Sequence, residues 1–205
     1  MANVTNVKSK FFGAVDGLDA DGISVAATIG SATTLTLGGA LTSGGSYTSG
    51  DNIGQLVTIL SAADDSGITF TIVGTDAVGD AQTEVVTGAD TTTATSSGYF
   101  NTVTSITTSA ATAGNVSAGV TATGTGTVFA GRTRIRGLQG LSGASAGNLL
   151  FKNTSVTGTT LLTVPTQAAA ELIEPYIPDN AVLFDAGAYV NFGSAVATVT
   201  VFYDG

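Results

Sequence analysis

All three arginines of this 205-residue chain stand together, in Arg132-Thr-Arg-Ile-Arg136. Alternate side chains of a β-strand share a face, so this spacing sets Arg132, Arg134 and Arg136 in one row, about 6–7 Å apart. A guanidinium forks two donors onto a carboxylate or phosphate, and a row of them suits an acidic patch on a neighbouring protein. The same row is architecture instead if Glu171, Glu174, Asp179 or Asp185 of its own domain receives it. Both readings stand at this point. DNA is a poor ligand for it, because three cations do not offset the surrounding acid.

Other residue groups carry weaker chemistry. Asp16-Gly-Leu-Asp-Ala-Asp-Gly22 has the look of a calcium loop, but counting from Asp19 puts Ile23 at the fifth position and Gly30 at the twelfth, where an EF-hand needs oxygen ligands. Solvated turns explain these aspartates, and no metal site is expected. Glu84, Glu171 and Glu174 are the acids a glycosidase pair would draw on, but no Trp is present to stack a sugar. The chain also has no His and no Cys, which removes Ser–His, Cys–His and imidazole–zinc chemistry and any disulfide scaffold. No catalytic residue and no cofactor are expected.

The charge balance bears on partners. Six Lys and Arg against fifteen Asp and Glu give −9, which argues against nucleic acid and anionic membranes. Only 10% of residues are charged, against roughly 25% in ordinary globular domains. Thr, Ser, Gly and Ala take their place, and a hydroxyl loses less on leaving water than a charge does. A surface of this kind is readily covered by other protein. The first seventeen residues lack the apolar stretch of a secretory signal, and no run is long enough to span a bilayer as a helix.

The elements that would position these residues are strands. Short β-branched and aromatic runs, divided by Gly, Asp, Asn and Ser, predict strands near 23–29, 33–37, 55–60, 68–73, 82–87, 99–107 and 115–121. A second set falls near 127–135, 148–152, 159–164, 181–184, 188–192 and 195–203. The one helical candidate, 166–174, is bracketed by Pro165, Pro175 and Pro178 and reads equally well as a loop. Gly79-Asp80 supplies the positive φ of a hairpin between 68–73 and 82–87. Strands recurring about every ten residues indicate an all-β chain of antiparallel sandwiches, Greek-key or jelly-roll-like, with very little helix. The glycine-rich run Thr121-Ala-Thr-Gly-Thr-Gly-Thr127 reads as a linker, giving an N-terminal module over 1–127 and a C-terminal module over 128–205.

Several of these segments resemble structural proteins of tailed bacteriophages, many of them marine. The resemblance lies in Val57-Thr-Ile-Leu-Ser-Ala-Ala-Asp-Asp-Ser-Gly-Ile-Thr-Phe-Thr-Ile-Val-Gly-Thr-Asp76, Gly79-Asp-Ala-Gln-Thr-Glu-Val-Val-Thr-Gly88 and Tyr99-Phe-Asn-Thr-Val-Thr-Ser-Ile-Thr107. Gly147-Asn-Leu-Leu-Phe-Lys152, Val182-Leu-Phe-Asp-Ala-Gly-Ala-Tyr-Val190 and Val199-Thr-Val-Phe-Tyr203 extend it toward the C-terminus. It implies a non-enzymatic place on the virion, with the major capsid protein or other virion proteins as partners. Capsid decoration is the leading expectation; a tail, collar or fibre part and a receptor- or glycan-binding module are the alternatives. A homo-oligomer, with a trimer as the first guess, would supply many contacts at once.

Two further groups are candidates for the partner surface. Phe11 and Phe12 either anchor a terminal arm to a neighbour or begin the first strand. Tyr176 and Ile177, in Glu171-Leu-Ile-Glu-Pro-Tyr-Ile-Pro178, belong to a lid over their own core or to an arm stiffened by its prolines.

Overall fold

The computed structural model describes residues 6–193 and 196–205, and every regular element among them is a strand. The first seven are β1 (Lys8–Phe12), β2 (Asp19–Thr28), β3 (Thr42–Ser43), β4 (Ser46–Thr48), β5 (Gly54–Ser61), β6 (Thr69–Thr75) and β7 (Ala81–Thr87). Next come β8 (Thr93–Phe100), β9 (Thr102–Thr108), β10 (Asn115–Phe129), β11 (Thr133–Ser142) and β12 (Gly147–Asn153). The last are β13 (Thr160–Thr166), β14 (Leu172–Ile173), β15 (Val182–Phe184), β16 (Ala188–Gly193) and β17 (Val196–Asp204).

They form three antiparallel sheets. The first runs β1-β17-β11-β14, with β15 also on β11; the second runs β13-β12-β16-β10-β5-β8, with β2 on β10; the third runs β3-β4-β9-β6-β7. The chain divides into two compact units that are not consecutive in sequence. Unit 1 comprises Met1–Val15, Gly50–Ile53 and Thr123–Gly205, and unit 2 comprises Asp16–Ser49 and Gly54–Ala122. A boundary near residue 127 would keep the first fifteen residues with the chain that follows them. Here β1 pairs with β17, from Lys8 opposite Tyr203 to Phe12 opposite Val199.

Each unit has its own core. In unit 1, Phe12, Ile135, Leu138, Phe184, Val199 and Val201 of the first sheet meet Leu149, Phe151, Val190 and Phe192 of the second. In unit 2, Ile23, Val57, Ile59, Phe100 and Val116 of the second sheet meet Tyr47, Phe70, Ile72, Val103 and Ile106 of the third. Each such side chain removed from water contributes about 1.5–3 kcal/mol. Strand β6 shows how pattern becomes packing: Phe70 and Ile72 are fully buried while Thr69, Thr71 and Val73 stay half-buried on the other face. Its hairpin to β7 closes through Gly79, at φ +94°, with Asp76 N–H donating to the Asp80 carbonyl at 2.9 Å.

Four local readings change. The run 99–107 is two strands, because the chain leaves the second sheet after Phe100 and enters the third at Thr102. The run 127–135 is likewise broken at 130–132, between β10 and β11 in different sheets. Neither crossing carries a proline. Residues 33–37 make only an isolated bridge, Thr34 to Thr107, although Leu35 and Leu37 are buried. The helical candidate 166–174 is no helix: Ala169 and Ala170 have φ of +77° and +52°, and Leu172–Ile173 is strand.

The two units part inside the glycine-rich run 121–127, between Ala122 and Thr123, but the run is no flexible linker: it is the inside of the fifteen-residue strand β10. Its glycines answer to crowding. A methyl at Gly126 would overlap the Phe12 ring, and one at Gly119, just upstream, would overlap the Asp19 carbonyl oxygen. Glycine lets another group approach the backbone closely, which in sequence looks the same as flexibility.

Candidate functional site

The arginine row begins one residue before its strand. Thr133 and Ile135 of β11 point into unit 1, so Arg134 and Arg136 face outward, while Arg132 lies ahead of β11. The pairing of β11 with β17 shifts between Ile135 and Gly137, leaving Arg136 as the extra residue of a bulge. The bulge turns its guanidinium onto Asp204 at the end of β17. Nε donates to Oδ1 at 2.8 Å and Nη2 to Oδ2 at 2.7 Å, while Nη1 donates to the Asp179 carbonyl at 3.0 Å. Arg134 Nη1 donates to the neighbouring Asn180 carbonyl at 2.5 Å. Two arginines thus hold the 179–180 turn that leads into β15, which pairs with β11 from Thr133 opposite Phe184 to Ile135 opposite Val182.

Arg132 is different. Its Nε stands 3.7 Å from Asp185 Oδ1 with both side chains about 70% exposed (68% and 72%), a pairing that water largely screens. The residues Arg132, Thr133, Arg134, Leu183, Asp204 and Gly205 line an open recess of about 240 Å³. Asp185 was among the acids expected to receive the row, and Asp179 does so through its main chain. Asp204, the acid held most tightly, was not expected. Its signal was a lone carboxylate closing an otherwise uncharged strand.

The Arg136–Asp204 pair sets a pH dependence. The hydrogen bonds from Arg136 hold the Asp204 carboxyl below its usual range, and those to Asp204 raise the guanidinium further. A carboxylate with a depressed folded pKa contributes stability above its unfolded value of about 3.9, and that contribution is lost as pH falls through the folded value. Acid unfolding of unit 1 below about pH 4 should therefore be shallower in Asp204→Asn than in the parent, measured by circular dichroism against pH.

The aromatic candidates divide in the same way. Phe12 is fully buried, its ring 5.3 Å from that of Phe192, whereas Phe11, the next residue on the edge strand β1, is 44% exposed. Lys10 lies over the Phe12 ring at 5.9 Å, and burial lowers its pKa. In 171–178, Ile173 is buried and Ile177 packs against the unit 1 core, while Leu172 is 61% and Tyr176 87% exposed. The segment is at once a lid, through its isoleucines, and a projecting surface. Leu172 also faces Leu141 across β14 and β11, both exposed, beside an apolar groove of about 260 Å³ that includes Val164, Pro165 and Pro175. Strand alternation explains the split, but β14 is too short to be seen in sequence.

The acidic side chains hold backbone, and Asp19 does so within strand β2, which also contains Asp21, rather than in a solvated turn. Asp19 Oδ1 accepts from Asp21 N–H at 3.2 Å, and Asp76 Oδ1 accepts from Val78 and Asp80 N–H at 2.9 and 3.0 Å. Glu84 accepts from Ser97 and Gly98 N–H at 2.6 and 2.8 Å and belongs to unit 2, whereas Glu171 and Glu174 belong to unit 1. Among the described residues no three acids converge on one point, and no helix is long and apolar enough to cross a membrane. What the arrangement offers chemically is a set of exposed contacts: a partly uncompensated arginine recess and projecting apolar side chains. No protein-family model matches the chain, and no curated protein and no solved structure is significantly similar to it.

Proposed function

We propose that this chain is a non-enzymatic structural component of a tailed-phage virion, most concretely a decoration protein that holds neighbouring capsomers together. The observation that carries this reading is the character of its surface. Leu18, Val85, Leu172 and Tyr176 stand more than half exposed on a protein with charge at only 10% of its positions. Such a surface sheds water at small cost and gains by contact with protein. The resemblance of roughly residues 55–107 and 130–205 to phage virion modules supports the same reading.

Each unit is, in this reading, an antiparallel β-sandwich, since each core is filled from the faces of two sheets. Compact modules of this kind add little bulk and present several weak contact points each. Joined in an oligomer, they bind by avidity, and separating two capsomers then requires breaking many contacts together.

Quantitative mass spectrometry of purified particles, measured against the major capsid protein, tests the proposal. Several hundred copies per particle is the expected result. About a dozen would replace decoration with a collar or tail position, and none would overturn the virion reading.

A further inference from the structure

The charges of this protein are sorted by unit. Every carboxylate from Asp16 to Asp90 except Asp51 belongs to unit 2, nine in all, and unit 2 contains no lysine or arginine. Unit 1 holds all six cations and the remaining six carboxylates. Its formal charge is therefore zero, and the whole −9 of the chain sits on unit 2.

Four of the six cations of unit 1, Lys8, Arg132, Arg134 and Arg136, gather at the end of β17. Lys8 pairs in register with Tyr203, and its Nζ donates to the Gly205 carbonyl at 2.6 Å. Arg134 pairs in register with Asp204, whose carboxylate Arg136 already occupies with two bonds. Arg134 thus spends its hydrogen bond on a neutral carbonyl, and Arg132 has only the exposed Asp185 at 3.7 Å. The recess that Arg132 and Arg134 line keeps net positive charge and one apolar wall, Leu183, and Lys8 adds a cation beside it through Gly205.

Unit 2 carries a matching projection. At the tip of the β6–β7 hairpin Val78 is 52% exposed and Asp80 is exposed beside it. Asp76 fixes the tip by accepting both their N–H groups, so little order remains to be imposed on docking. We propose that the recess lined by Arg132 and Arg134 receives the Asp76–Asp80 hairpin tip of a second copy of this chain. The Asp80 carboxylate meets the guanidinium groups, and Val78 meets Leu183.

The electrostatics favour this partner. Guanidinium–carboxylate pairs across an interface set register and speed encounter. Placing unit 2 against the neutral unit of its neighbour also avoids juxtaposing two −9 surfaces. The contact is heterologous: each copy offers one recess and one tip, so the assembly closes as a ring or grows as a filament. It does not depend on the virion reading.

Sedimentation velocity of the full chain tests it at about 0.1 M and about 1 M NaCl, where the screening length falls from about 10 Å to 3 Å. Species at least twice the 20.1 kDa monomer are expected at the lower salt, and monomer at the higher. Arg132→Ser/Arg134→Ser and, separately, Asp80→Asn should each remain monomeric at the lower salt. Mixed together they should form a dimer and stop there, because one intact tip meets one intact recess. Asp80 lies in an exposed turn where only its main chain is bonded, so that variant remains a fair test if the arginine pair fails to fold. A monomeric parent at the lower salt, association by Asp80→Asn alone, or a mixture of two folded variants that stays monomeric would each overturn the proposal.

Discussion

Gln55→Leu is expected to lower the stability of unit 2 by about 3 kcal/mol, because one buried amide serves three chain segments. Gln55 is fully buried. Its Oε1 accepts from Asp16 N–H at 3.0 Å, Tyr47 O–H at 3.0 Å and Ser49 O–H at 2.9 Å. Its Nε2 donates to the carbonyls of Asp16 at 3.1 Å and Thr121 at 2.6 Å. Leucine matches the volume but leaves the Asp16 N–H and the buried Ser49 hydroxyl without their acceptor, each costing about 1–3 kcal/mol. For a unit of this size the loss corresponds to a fall of roughly 12–24 °C in unfolding temperature. Hydrogen exchange of unit 2 peptides across a urea titration reports that unit alone. Ser49→Ala, which removes one donor and keeps the amide, should cost about 1 kcal/mol.

The second large effect lies at high pH and comes from the same network. Tyr47 is fully buried, and its hydroxyl is 2.9 Å from Asp16 Oδ2 as well as 3.0 Å from Gln55 Oε1. Burial pushes the phenol well above its ordinary value; a hydrogen bond with Ser49 opposes the rise, and the Asp16 charge adds to it. Folded Tyr47 therefore keeps its proton at a pH where unfolded Tyr47 has lost it. Stability is complete below the unfolded value of about 10 and falls by about 1.4 kcal/mol for each further pH unit. Unit 2 should thus be weaker by about 2.3 kcal/mol at pH 12 than at pH 10. Unit 2 has no lysine to titrate over the same range. Tyr47→Phe should start less stable but lose most of this slope, measured by urea unfolding followed through the same peptides.

How much of this was legible beforehand differs by level. Alternation made β6, β7 and their Gly79 turn readable, because a strand between one core and solvent must repeat every two residues. The same rule placed Arg134 and Arg136 on one outer face. It could not foresee the bulge that delivers Arg136 to Asp204, since an extra residue is defined only against the partner strand. Nor did it mark the ends of β8 and β10, where the chain changes sheets without a proline.

The buried network was hidden for a similar reason. The Tyr47 ring lies in the unit 2 core and its hydroxyl serves Gln55 and Asp16. Nothing in a single polar residue within a strand pattern says that three distant segments will bond to it.

Composition and periodicity were enough for the all-β class, for most strand positions and for the thinly charged surface, because each follows from residue type and spacing along the chain. Pairing across the chain settled the rest: the return of the first fifteen residues to the C-terminal unit, the crowding that explains Gly126, and the gathering of every cation into one unit. These are relations between segments up to 197 residues apart, as in the bond from Lys8 to Gly205. Local spacing carries no record of which distant strands will lie side by side.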